Sequence, residues 1–243
     1  TGNIVDSGVL TIAGTSSFTT SQNNADITLN NTNALTGTVA LNTSGSTGHA
    51  FVDNGITALN LAASSVGGNL TLTSGHASGI TDSGTVTVGG NLAVTTDANS
   101  GVINLGTLAV DGTVQLTTNG SGNATVVNDA GLNFAASTVG GIFNATATTG
   151  NIADSGALTI AGAATFITGA SGSDIILDSS ANAFSGSVTF QADAGNETFG
   201  NITFVDSGAV DIDSSISSGG TGTTAGQCPW CQERTSLWIQ RQK

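Results

Sequence analysis

Apolar and polar residues alternate in short bursts along nearly the whole chain, and the bursts recur in register. Leu10, Val86 and Leu158 align, as do Ile12, Val88 and Ile160, with Thr11, Thr87 and Thr159 between them. Phe18, Val94 and Phe166 form a third alignment; Val39, Val114 and Val188, then Leu41, Leu116 and Phe190, form two more, and Leu70 aligns with Phe143. Ile27, Ile103 and Ile175, followed by Leu29, Leu105 and Leu177, add another strand to each unit. A period of two marks strands with one buried and one wetted face. The segments match at steps of roughly 22 or roughly 72 to 76 residues, not at the roughly ten-residue step of a hairpin meander. Coils of two or three short strands, stacked on one another, satisfy that spacing.

The long unit is visible by eye. TGNIVDSGVLTIAG at the start returns as TGNIADSGALTIAG at 149–162, and DSGTVTVGG sits between them at 82–90. Module glycines fall at Gly14, Gly37, Gly68, Gly90, Gly112, Gly141, Gly162 and Gly186, so the steps from Gly37 to Gly68 and from Gly112 to Gly141 are longer than the others. This predicts an all-β, right-handed parallel β-helix over residues 1–220, with about 8–9 rungs of roughly 21–31 residues in a three-rung superrepeat. Equivalent side chains are expected to pile like on like, each buried Leu or Val contributing roughly 1.5–3 kcal/mol. Recurrent turns at Val5, Val52, Thr81, Ala153 and Val205 read VDSG or its variants. There the Asp is expected to bond its own backbone two residues on, and the Gly to supply a positive φ.

Composition narrows the function classes. Only 8% of the 243 residues are charged, the net charge is −13, and the three basic residues are Arg234, Arg241 and Lys243. A body without Lys or Arg has no means of displacing counterions from phosphates, which excludes ordinary nucleic-acid binding, and no polybasic patch for anionic lipid. Every apolar run falls short of the roughly 18 residues that a membrane-spanning helix needs, so no transmembrane helix is expected. The first residue is not Met and lies at the start of a repeat, which reads as a fragment or processed piece.

The rungs GNIVDSGVLTIAG, LNLAASSVGGNLTLTS, VTVGGNLAVTT and LAVDGTVQLTTNG resemble the repeats of large Gram-negative surface exoproteins of the filamentous-haemagglutinin and autotransporter-passenger type. The resemblance covers about residues 1–220 and is one of repeat style. It implies a right-handed β-helix, export across the outer membrane as an unfolded chain, and a role in adhesion or biofilm. Near-absence of Cys from the body agrees with that route; the CPWC of the tail departs from it.

No candidate for chemistry displaces the structural reading. Of fourteen Asp, most occur once per repeat in a turn; Asp211 and Asp213 form the one close pair, and glycoside hydrolysis needs two carboxyls at a set separation. A lyase using Arg or Lys is excluded over the body. Calcium-binding nonapeptide and EF-hand patterns are missing, which leaves weak surface Ca2+ at stacked DSG turns as the single cofactor reading. His49 and His76 read as loop residues without partners. Thr71 with Thr73, Thr85 with Thr87, Thr95 with Thr96 and Thr117 with Thr118 suggest outward threonine arrays, irregular from rung to rung. Asn69-Leu70-Thr71 and Asn201-Ile202-Thr203 match the glycosylation triplet, as chance predicts in such a chain.

Residues 221–243 break from the repeats and hold both Cys, both Trp and the single Pro. Three readings compete: a reading-frame or assembly artefact first, then a cap over the open coil, then a sorting signal. Cys228 and Cys231 are a possible disulfide. Zinc would need two more ligands. The expectation for the whole is a structural and adhesive segment of a secreted or cell-surface exoprotein, with no active site. Its partner is a host-cell or extracellular glycan or protein receptor, or like chains. A polysaccharide-binding or polysaccharide-degrading β-helix and a passive stalk are the alternatives. Residues 42–58 and 117–131, equivalent long loops, are the expected binding surface.

Overall fold

The computed structural model describes residues 2–192, 200–209 and 211–212, together with the backbone alone of 237–241. The tail cysteines Cys228 and Cys231, and Asp213 of the DID pair, lie outside them. Among the described residues every regular element is a strand, and every strand pairing is parallel. The chain is a β-solenoid. Along one wall, Ile4, Ile27, Ala50, Leu70, Leu92, Val114 and Phe134 follow one another in register. The wall continues through Leu132, Ile152, Ile175 and Ile202, so one turn takes roughly 20 to 27 residues, within the usual size of a solenoid repeat. The backbone of Leu237–Arg241 pairs in parallel with Ile202–Asp206.

Two walls enclose one core, and within each coil they differ in shape. One wall is a straight strand; the other is a bent pair of short strands separated by a few residues, or a single strand whose register shifts midway. In the first wall the strand is straight at Ala50–Asp53, Leu70–Ser74, Leu92–Thr96 and Val114–Thr118, bent before these and from Leu132 to Phe184, and straight again at Ile202–Asp206. The second wall is bent at Leu59–Leu61 with Ser64–Val66, at Ile80–Asp82 with Val86–Val88, and along Ile103–Val110. It is straight at Ser16–Thr19, Thr38–Asn42, Ala124–Asn128, Phe143–Ala147, Ala164–Thr168 and Ser187–Ala192. Among the described residues the straight and bent roles therefore change walls three times, near residues 43–64, near residues 119–137, and again by Ile202–Asp206.

This corrects the like-on-like expectation. Leu10 and Leu158 belong to the first wall and Val86 to the second; Phe18 and Phe166 belong to the second and Val94 to the first. All face one interior, but the copies alternate sides. Leu10 and Leu158 lie seven coils apart on the first wall, so each long unit spans three and a half coils and enters half a turn out of phase with the last. The two long glycine steps, Gly37 to Gly68 and Gly112 to Gly141, are one and a half coils, not one long rung. Residues 42–58 and 117–131 are not loops for the same reason: they contain Ala50–Asp53 and Ala124–Asn128, whose Ala50, Val52, Ala124 and Val126 are core residues.

Four buried side chains repair the ladders at the first two exchanges, and at the third Asp206 Oδ1 accepts from the Phe184 N–H at 2.9 Å. Asn54 Oδ1 accepts from the Leu35 N–H at 2.9 Å, and Asn54 Nδ2 donates to the Leu35 carbonyl at 3.1 Å. Asn128 does the same to Val110, at 2.8 and 3.2 Å. Each amide stands in for a missing peptide group of the next coil, as buried backbone polar groups require. On the opposite wall Ser64 Oγ accepts from Leu41 N–H and donates to the Ala62 carbonyl. Ser137 Oγ likewise accepts from Leu116 N–H and donates to the Ala135 carbonyl.

The core is aliphatic at first and becomes aromatic. Phe134, Phe143, Phe166, Phe184, Phe190 and Phe204 form a chain of ring contacts with centroids 5.1 to 6.1 Å apart. Module glycines serve close approach: a Cβ on Gly162 or Gly186 would strike the backbone of Gly141 or Gly162 in the coil before. Two glycines of the DSG turns act in the same way. Gly84 and Gly156 face the backbone of Ala63 and Ala136, and of the turn glycines only Gly55 has a positive φ, 53°.

Candidate functional site

The DSG aspartates are spent on neighbouring coils. Asp6 accepts from the Asn30 and Asn31 N–H groups at 3.2 and 3.1 Å and from the Asn31 and Asn33 side-chain amides at 2.8 Å each. Asp82 accepts from the Gly106 and Thr107 N–H groups and the Thr107 hydroxyl. Asp154 accepts from Asp178 and Ser179 N–H and from Asn182 Nδ2. Only Asp53 and Asp206 bond the N–H two residues on, at Gly55 and Gly208. Carboxylates that already accept several N–H donors make poor cation ligands, and among the described residues no group of three or more His, Cys, Asp or Glu gathers as a metal site.

Burial alone would raise the Asp6 carboxyl, but the donors on Asn33, Asn30 and Asn31 outweigh it and hold the group below the ordinary aspartate value. For Asp154 burial prevails over the donors of Asn182, Asp178 and Ser179, and the nearby Asp178 carboxylate pushes the group up further. The two therefore act oppositely with pH. Stability from Asp6 is complete above its unfolded pKa and is lost as pH falls through its lower folded value. The cost carried by Asp154 is absent below its unfolded pKa and grows as pH rises through its higher folded value. Asp6→Ala should lower Tm at neutral pH, and most of that loss should vanish in strong acid, once the wild-type carboxyl is protonated; an equal loss under both conditions would show that charge plays no part.

A second set of side chains forms a ladder at the entrance to the first wall. Asn3 Oδ1 accepts from Asp26 N–H, Asp26 Oδ1 from His49 N–H, His49 Nδ1 from Asn69 N–H, Asn69 Oδ1 from Asn91 N–H, and Asn91 Oδ1 from Thr113 N–H. It resumes at Asn151, Asp174 and Asn201. His49 is thus a rung of this ladder, with an unprotonated Nδ1. His76 Nδ1 accepts from Ser78 N–H. Both histidines have partners, contrary to the sequence expectation. His49 precedes Ala50–Asp53 and His76 follows the paired Leu70–Ser74, so a strand length of roughly 16 Å separates them.

Two outward columns remain available to a ligand. On the first wall Thr73, Thr95, Thr117, Thr138 and Thr159 occupy one register position on five successive coils. On the second, Thr38, Asn60, Thr81, Asn104, Thr125, Asn144, Thr165 and Thr189 do so on eight. Successive side chains stand about 4.8 Å apart. The arrays are more regular than the sequence suggested, because the expected pairs Thr95–Thr96 and Thr117–Thr118 divide. Thr96 and Thr118 point inward and donate to the Gly101 and Gly122 carbonyls. An open depression of about 500 Å³ lies beside the second exchange of walls, where Asp111 is the one carboxylate among its lining residues. Asp211 is exposed on the second wall, in register with Ser187.

No helix among the described residues is long and apolar enough to cross a membrane. No curated protein and no solved structure matches the chain. The family described as repeats of unknown function (DUF5649) matches at residues 1–42, 47–105 and 121–191, most of the length, and the chain belongs to that family.

Proposed function

We propose that this solenoid is a structural and adhesive segment of a secreted or cell-surface bacterial exoprotein, and that its contacts are made through the outward Thr and Asn columns. The observation that carries the reading is their register: uncharged hydroxyl and amide groups recur on as many as eight successive coils along a wall without Lys or Arg. Such a row is complementary to an extended, neutral, repetitive polymer, of which an extracellular polysaccharide is the commonest kind. The inward side chains and the carboxylates of Asp6, Asp82 and Asp154 are committed to the ladders, whereas the columns face outward.

The test is binding of the purified chain to immobilised glycans and to extracellular matrix proteins, with a parallel assay for polysaccharide breakdown. Binding to an extended neutral glycan should fall about tenfold when Thr125 and Thr165 are changed to Val, the equivalent of one or two lost hydrogen bonds, with Tm preserved. Release of shortened glycan would make the protein an enzyme and overturn the proposal. Absence of binding to every surface tried would leave a passive stalk.

A further inference from the structure

We infer that the open edge of the first coil is a docking surface, and that its partner is one more repeat coil of the same phase, of the type formed by residues 131–148. The template lies in the chain itself. Residues 149–162 repeat residues 1–14 with two substitutions, and their coil stacks on residues 131–148. There Ile152, Leu158, Ile160 and Phe166 are fully buried, whereas Ile4, Leu10, Ile12 and Phe18 at the same places are only partly covered. Ser155, Ala161 and Gly162 donate their N–H groups to the carbonyls of Phe134, Val139 and Gly141 at 2.7, 2.9 and 3.1 Å. Their counterparts Ser7, Ala13 and Gly14 make no such bond among the described residues.

Phase follows from the residues that mark an exchange of walls. A bent pair laid on a straight strand begins its second strand with Ser, at Ser64 and Ser137. A straight strand laid on a bent pair ends with a buried Asn or Asp; Asn54, Asn128 and Asp206 do this. The first coil holds Leu10 where Ser137 would stand and Thr20 where Asn128 would stand, judged by their counterparts Leu158 and Thr168. It therefore lacks both repairs and accepts only a coil that is bent on the first wall and straight on the second.

Two extensions test this. Residues 131–148 joined ahead of Thr1 recreate the native junction at 148–151, since Thr149-Gly150-Asn151 equals Thr1-Gly2-Asn3. Residues 69–88 joined at the same point supply a coil of the opposite phase. Amide exchange at Ser7, Ala13 and Gly14 should slow on the order of 100-fold with the first extension and little with the second. In a Leu10→Ser, Thr20→Asn chain the preference should reverse. Equal protection by both extensions, or none from the first while the remaining coils stay protected, would overturn the inference; so would any pattern but reversal in the double variant.

Discussion

Phe166→Ala should destabilise the solenoid by about 3–5 kcal/mol, the usual cost of removing a buried aromatic ring and leaving its cavity. Phe166 is fully buried and lies 5.6 Å from the ring of Phe143 and 6.1 Å from those of Phe184 and Phe190. Its neighbours in register, Ala145 and Phe190, are fixed by parallel ladders in the coils on either side, so the walls have little freedom to collapse into the gap. The repeat supplies an internal control, because Phe18 holds the same place in the motif but is only partly buried. Phe18→Ala should cost less than half as much. Urea unfolding followed by circular dichroism would measure both, and equal losses would contradict the account of the aromatic core.

Asn128→Ala should cost about 3 kcal/mol or more, because each buried group left without a partner costs about 1–3 kcal/mol. The fully buried amide of Asn128 accepts from Val110 N–H and donates to the carbonyls of Val110 and Gly131. Asn128→Asp should be at least as harmful, since a carboxylate cannot donate to either carbonyl. Thr168 stands in the same column two coils later, where the walls do not exchange, and its buried hydroxyl has no partner. Thr168→Val should therefore be neutral or stabilising. A harmless Asn128→Ala would refute the view that single amides repair the ladder.

Much of the fold was legible because stacking constrains a column of side chains more strongly than any local propensity does. Alternation at Leu70, Leu72 and Ser74, repeated at Leu92, Val94 and Thr96, placed both the strands and their buried faces. The half-turn phase was harder to see. Matching Leu10 with Val86 shows that two residues have equivalent neighbours along the chain, but not which side of the coil each occupies. That needs the coil length, and the clue lay in the long steps from Gly37 to Gly68 and from Gly112 to Gly141 beside several shorter ones. The recurrence of Asn54 at Asn128 and of Ser64 at Ser137 carried the same information. Asp6, Asp82 and Asp154 misled because their partners lie a whole coil onward, beyond the reach of any local turn rule. The threonine columns looked irregular because adjacent threonines in the sequence point to opposite sides of a strand.

The half-turn offset has a geometric corollary for any long array of this unit. Seven coils restore the original orientation, so a given surface patch returns to the same side about every 34 Å and shows on the opposite side midway between. Each duplication of the unit thus adds valency alternately to left and right. A filament grown in that way would bridge two flanking layers rather than coat one.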